Sequence, residues 1–211
     1  MGRVITISRQ FGSGGREVGK RLADALACAY YDKELIKKVA EESGFAESYI
    51  EKYSESNFTR NYQFTFGGSF VNYTQSPSDK IQIAQSKIIK ELSEQGDSVM
   101  VGRCADDILK EREIFKVFIY SSDMDLRINR CYDKVPSDIT KSKKEMQKMI
   151  QDIDKQRAKY YGFYTGHEWG NMQNYNLCID TSVVSIKKAV DIIIECLKEV
   201  DIPLRSGSHY A

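Results

Sequence analysis

Arg3-Val-Ile-Thr-Ile-Ser-Arg-Gln-Phe-Gly-Ser-Gly-Gly-Arg-Glu-Val-Gly-Lys-Arg-Leu-Ala23 decides the reading of this chain. Val4 to Ile7 is a β-branched run suited to a buried parallel strand. Gly12, Gly14 and Gly15 let the backbone turn sharply and aim its N–H groups at an anion. Val18, Leu22, Ala25, Leu26 and Ala29 then recur at helical spacing and give one core face. Strand, glycine loop and helix in that order make a phosphate-cradling loop, with the helix dipole and unpaired amides behind the anion.

The register of the loop matters. Gly14-x-x-x-x-Gly19-Lys20 fits the common phosphate-loop pattern in spelling only. Lys20 would lie roughly 6 to 8 Å inside the helix at ~1.5 Å per residue, and Arg21, not a hydroxyl residue, follows it. The better register puts Gly15 and Arg16 where the lysine and its successor belong. Arg16 is then the candidate phosphate cation, and Glu17 stands near the usual hydroxyl position, where it would either help hold Mg²⁺ or repel phosphate. Gly12, Ser13, Gly14, Gly15, Arg16 and Glu17 are the candidate donor-binding residues. The competing reading is a glycine-rich turn without a ligand.

Outward from the loop, strands and helices alternate. Strands are expected near 3–8, 29–31, 98–101, 115–120 and 177–179. Helices are expected near 14–28, 33–43, 46–54, 77–95, 105–111, 123–133, 142–161 and 185–200. Such alternation implies a parallel sheet, whose ligands bind at the carboxyl ends of the strands. The first strand ends at the glycine loop, the second at Asp32 and the third at Gly102-Arg103. Residues 55–76 are aromatic, polar and without a period, so they read as an irregular insertion: a binding loop, a surface for a homo-oligomer, or packing on their own domain.

Composition narrows the function classes. With 211 residues, the chain suits one α/β domain over 1–200 and a tail over 201–211. The net charge of +1 argues against a general nucleic-acid or membrane-surface binder. No apolar run approaches a membrane span, and the N-terminus enters a strand directly, so no signal peptide is expected. Five scattered cysteines, Cys28, Cys104, Cys131, Cys178 and Cys196, fit reduced thiols in a cytoplasmic protein. Two histidines, His167 and His209, are too few and too far apart for a zinc enzyme or a Ser-His-Asp hydrolase.

Two arginine groups remain. Arg127 and Arg130 share a helix face, which reads as a solvated basic face or as part of a site. Met146, Ile150 and Ile153 form an apolar seam that continues to Arg157 and Tyr160. A cation on that seam needs an anionic partner, either Asp154, Glu145 or a substrate phosphate.

Taken together these segments resemble the cytidylate kinase-like family, relatives of bacterial CMP kinases. Ile5 to Ala23 looks like its modified P-loop, and Tyr30-Tyr-Asp-Lys-Glu-Leu35 is similar to the segment that follows. Val101-Gly-Arg-Cys-Ala-Asp106 is similar to a Gly-Arg-Asp segment, and Asp154-Lys-Gln-Arg157 to an Asp-x-x-Arg segment. Asn174-Tyr-Asn-Leu-Cys-Ile-Asp-Thr-Ser182 also fits. The resemblance implies a three-layer P-loop NTPase fold, with a five-stranded parallel sheet flanked by helices and a lid and acceptor-binding helical insertion over about 123–165. It implies ATP and Mg²⁺, and transfer of the γ-phosphoryl group to a nucleoside monophosphate, such as CMP or dCMP, or to a related small molecule. Arg16, Arg127, Arg130 and Arg157 would neutralise developing charge. Asp32, Arg103, Asp154 and Arg157 would hold the acceptor, and Arg9 would hold loop or phosphate. The departures are the missing loop lysine, the missing hydroxyl after it, Val101 where an acid would help hold magnesium, and Cys104 after Arg103. They leave open the magnesium ligands and a second reading, a nucleotide-binding regulatory protein without catalysis.

Overall fold

Central strands buried on both faces make the sheet the middle of three layers. In the computed structural model, which describes residues 2–32, 34–52, 77–133 and 141–200, five strands form one all-parallel sheet. They are β1 (Val4–Arg9), β2 (Ala29–Tyr31), β3 (Ser98–Val101), β4 (Ile114–Tyr120) and β5 (Leu177–Asp180), in the order β2-β3-β1-β4-β5. Successive side chains of a strand leave opposite faces. Ile5 and Ile7, Val99 and Val101, and Phe115, Val117 and Ile119 therefore form one core, under α1 (Gly15–Ala25) and α8 (Ile186–Glu199). Val4, Met100 and Ile114 face the other way. They pack with α2 (Glu34–Ser43), α3 (Glu47–Lys52), α4 (Pro77–Glu94) and α5 (Ala105–Ile108).

Two further helices lie over the carboxyl ends of the strands. α6 (Met124–Tyr132) and α7 (Lys143–Thr165) pack through Ile128, Cys131, Met146 and Ile150, and Phe11 from the glycine loop joins them. Asp123 caps α6, and Ser142 with Glu145 makes a capping box on α7. The far end of α7 reaches Tyr160 and Tyr161, which pack on Cys104.

The five expected strands and eight expected helices are all present, with shifts at their ends. The α5 helix stops at Ile108 rather than 111, because Leu109 leaves the helical region (φ −101°). α7 runs on to Thr165, where Gly166 ends it at φ 74°. A short 3₁₀ turn at Met172–Asn174 was not expected. Glu145, offered as a partner for Arg157, is taken by the capping box. All five cysteines are free, with Cys104 and Cys131 buried. Among the described residues no helix is long and apolar enough to cross a membrane. The 55–76 segment, the 201–211 tail with His209, and residues 134–140 within the expected lid lie outside the described residues.

Leu22 is fully buried between α1 and the sheet. Leu22→Ala should cost about 2–5 kcal/mol of stability. Thermal unfolding should show it as a melting temperature lower by roughly 5–15 °C.

Candidate phosphate-binding site

The loop between β1 and α1 is shaped by glycines that no other residue replaces. Gly12 and Gly14 sit at φ 75° and 83°. A Cβ on Gly15 would stand 2.5 Å from the Cβ of Arg9. Helices α6, α7 and α8 each have a side-chain N-cap, but Gly14 gives α1 none. The helical ladder begins with the Val18 N–H on the Gly14 carbonyl; the Gly15 N–H reaches the Ser13 hydroxyl at 3.4 Å, and the Arg16 and Glu17 amides of the first turn are left for a ligand.

Turning amides inward turns carbonyls outward, and arginines from elsewhere meet them. Arg157 Nη1 donates to the Arg9 carbonyl at 2.9 Å. Arg127 Nε donates to the Phe11 carbonyl at 2.8 Å. Arg130 Nη1 donates to the Ser13 carbonyl at 3.1 Å. Thr181, just past β5, donates to that same carbonyl at 2.7 Å. Arg130 also donates to Thr181 Oγ1 and to the Thr181 carbonyl, both at 2.9 Å. The Ser13 hydroxyl is fully buried, within reach of the Gln10 and Ile119 carbonyls. It shapes the loop from inside.

Asp154 closes the back of this brace. It accepts the Phe11 N–H at 2.7 Å and is ion-paired with Arg127. The sequence offered Asp154 as a partner for Arg157 on the same helix; the structure gives it to Arg127 across the α6–α7 contact. Arg157 instead lies 5.6 Å above the Phe11 ring, a cation–π distance.

The open side is a cavity of about 300 Å³. Its lining combines the loop residues Gly12, Gly14 and Gly15 with four arginines, Arg9, Arg16, Arg130 and Arg157, and among the described residues it contains no carboxylate. Burial lowers the Arg130 pKa from its ordinary value, and Glu17 pulls the other way. Arginine remains charged under such a shift. An anion with several oxygens is what this arrangement can hold.

Other expected residues have different neighbours. Arg16 reaches sideways to Asp32 at 2.5 Å, and Glu17 pairs with Arg21 at 2.7 Å. Arg103 stands at the end of β3, tied to β1 by the Gly102 N–H on the Ile7 carbonyl. There Gly102, Arg103 and Cys104 all have positive φ, at 75°, 64° and 54°. Gln85 of α4 donates to the Arg103 carbonyl and to the Tyr160 hydroxyl, and Tyr160 donates to Gln82 at 2.6 Å. Burial pushes the Tyr160 phenol well up, so it stays a neutral donor.

The donor set does not fit magnesium, which takes oxygen ligands in near-octahedral array. Asp32 and Glu17 each face an arginine, the Ser13 hydroxyl is turned inward, and Val101 fills the end of β3. Among the described residues no group of three His, Cys, Asp or Glu side chains gathers for a metal.

Sequence reasoning missed Phe11, Cys131 and Met149 as cavity residues and Thr181 as a brace. Thr181 lay within the quoted Asp180-Thr-Ser segment, but its partners are backbone carbonyls that no side-chain pattern reveals.

An all-parallel sheet with a glycine loop between its first strand and first helix, open at the strand carboxyl ends, defines the fold of P-loop kinases. The comparisons agree. Residues 4–183 match the model of the cytidylate kinase-like family, and the chain belongs to that family. A solved structure of an uncharacterized protein from Eubacterium ventriosum ATCC 27560 is 28% identical, with TM-score 0.68, over 94% of this chain and 99% of that one. Shikimate kinase from Bacteroides thetaiotaomicron is 15% identical, with TM-score 0.55, over 93% and 98%. Shikimate kinase from Acinetobacter baumannii, solved in complex with shikimate, is 13% identical, with TM-score 0.54, over 96% and 97%. The latter two share the fold. A search of curated protein sequences found no match.

Two tests follow from the brace. Asp154→Ala leaves Arg127 buried beside an uncompensated gap and should cost about 3–5 kcal/mol in denaturant unfolding. Asp180, at the end of β5, would be raised by burial, but hydrogen bonds from Ser122 and Ser182 win and bring it down to about 2. A depressed carboxylate stabilises the fold above its unfolded pKa and loses that contribution as pH falls through the folded value. The stability difference between wild type and Asp180→Asn should therefore shrink as pH falls from about 4 to about 2, read by denaturant unfolding across that range.

Proposed function

We propose that this protein is an ATP-dependent phosphotransferase acting on a nucleoside monophosphate, with CMP and dCMP the first acceptors to test, or on a related small phosphate acceptor. One observation carries the proposal: a cavity at the uncapped start of α1, lined by loop glycines and four arginines without a carboxylate. Family membership supports a kinase-type reaction.

The mechanism is in-line transfer, for which positioned positive charge is the main requirement. Loop amides and the α1 dipole take the donor phosphates. Arg130 has five N–H hydrogens, of which its bonds to Ser13 and Thr181 use three, leaving two for phosphate oxygens. Arg157 and Arg9 flank the same space, and Phe11 under Arg157 keeps water from its lower face. Arg103, at the adjoining strand end, takes the acceptor on this reading, supported by its position one strand from the loop. Asp154 and Asp32 act on this reading through Arg127 and Arg16 rather than on the acceptor directly. Magnesium, if bound with the donor, would lower the charge of its phosphates, and the described residues offer it no ligand set.

A specific observation favours a second reading, a nucleotide-binding regulator without turnover. The cation nearest the missing lysine, Arg16, is engaged by Asp32. Phosphoryl transfer separates the two. ATP with CMP, dCMP, UMP or AMP should raise the melting temperature, and one pair should yield the nucleoside diphosphate by chromatography. A thermal shift without diphosphate would leave the regulatory reading. Arg16→Ala should lower turnover by about 100-fold or more with the fold intact by circular dichroism, although the melting temperature falls because buried Asp32 loses its ion-pair partner. Normal turnover in that variant would remove Arg16 from the site.

A further inference from the structure

Phosphate loops ordinarily hold a magnesium ion between a hydroxyl just after the loop lysine and a carboxylate at a neighbouring strand end. With Gly15 in the lysine's place, the residue directly after it, where the hydroxyl would stand, is Arg16, the second residue of α1, and Glu17, the next one along, is paired with Arg21. The Arg16 guanidinium lies side-on against Asp32, with Nε 2.5 Å from Oδ2 and Nη2 3.4 Å from Oδ1. Asp32 follows β2 directly and is buried. The Arg16 carbonyl accepts a hydrogen bond from Tyr30 at 3.3 Å, which ties the start of the helix to the same strand.

A guanidinium has five N–H donors and no lone pair, so it cannot ligate a metal and repels one. The fork on Asp32 uses one Nε and one Nη2 hydrogen. Three N–H hydrogens remain, and Arg16 lines the cavity with the loop glycines. Asp32, a buried carboxylate beside the loop, is thereby spent on holding a cation that is part of the chain.

We infer that the Arg16–Asp32 pair stands in for the divalent cation of this site, so that polyphosphate binds at the loop without Mg²⁺. Asp32 is a positioning residue: it takes a long, half-exposed side chain out of its many rotamers and sets its charge beside the phosphates. This rests on the phosphate-binding part of the function proposed above and is independent of whether a phosphoryl group is transferred.

Isothermal titration calorimetry tests it, with inorganic tripolyphosphate and ATP as probes, each in EDTA and in millimolar Mg²⁺. Dissociation constants in the two buffers should agree within about threefold for the wild type. Arg16→Ser restores a hydroxyl and releases Asp32, and its binding should become at least about tenfold tighter with Mg²⁺ than with EDTA. Circular dichroism confirms that the variant is folded. Wild-type binding that weakens about tenfold or more in EDTA overturns the inference, as does an Arg16→Ser variant that matches the wild type in both buffers. Binding in EDTA, with no nucleoside diphosphate formed when ATP and Mg²⁺ are given with CMP, dCMP, UMP or AMP, supports the inference and sinks the phosphotransferase reading. No binding of either probe in either buffer overturns both.

Discussion

A backbone loop that aims its amides at a ligand must expose its carbonyls on the other side, and the site depends on how those carbonyls are satisfied. Alternate carbonyls, those of Arg9, Phe11 and Ser13, are each met by a guanidinium from outside the loop. A hydrogen bond from a charged donor contributes about 1.5–3 kcal/mol, and a buried carbonyl left without one costs a similar amount. Arg127 and Arg130 come from α6 and Arg157 from α7. The loop conformation is therefore written partly in residues more than a hundred positions away. Arg130 and Arg157 also line the cavity, so two of the three side chains that hold the loop bring positive charge to it, while Arg127 is paired with Asp154 behind the loop.

Such a concentration of cations in a chain of net charge +1 needs local counter-charges. Asp154 and Asp32 supply them at two edges of the loop. Asp154 sits behind, between the Phe11 amide and Arg127, and fastens the α6–α7 pair to the loop. Asp32 sits beside the entrance and fixes Arg16. Neither lines the cavity, so its field stays positive while the arginines are held.

The fold was legible because periodicity reports burial directly. The run from Val4 to Leu22 named strand, loop and helix, and the 2-residue alternation of β1, β3 and β4 does build two cores on opposite faces. Of the seam read from Met146 through Ile150 and Ile153 to Arg157 and Tyr160, all are buried except Ile153, which is half-buried. The arginines of the site could be picked out by their type and spacing, but their first partners could not. Those partners are main-chain carbonyls, identical at every position and invisible to a side-chain pattern. Asp154 shows the same limit: three residues from Arg157 it looked like a partner on its own helix, and only the α6–α7 packing gives it to Arg127. Residues 55–76 offered aromatic composition without a period, and composition alone assigns no contact.

The turn after β3 is held against backbone strain. Non-glycine residues at positive φ are sustained only where their surroundings over-determine them, at about 1–3 kcal/mol each. Arg103 and Cys104 are two in succession, directly after Gly102 and one strand away from the loop. The Gly102 amide on the Ile7 carbonyl and Gln85 on the Arg103 carbonyl hold the turn from both sides. Gln85 is held in turn by the neutral Tyr160 phenol and by Gln82. A structural turn at this point would be cheaper with a second glycine. Keeping arginine in a left-handed conformation, braced by a buried amide and phenol, makes sense if the side chain must leave the sheet in one fixed direction beside the phosphate loop. Strain and bracing thus point to Arg103 independently of the Gly-Arg pairing that first drew attention to it.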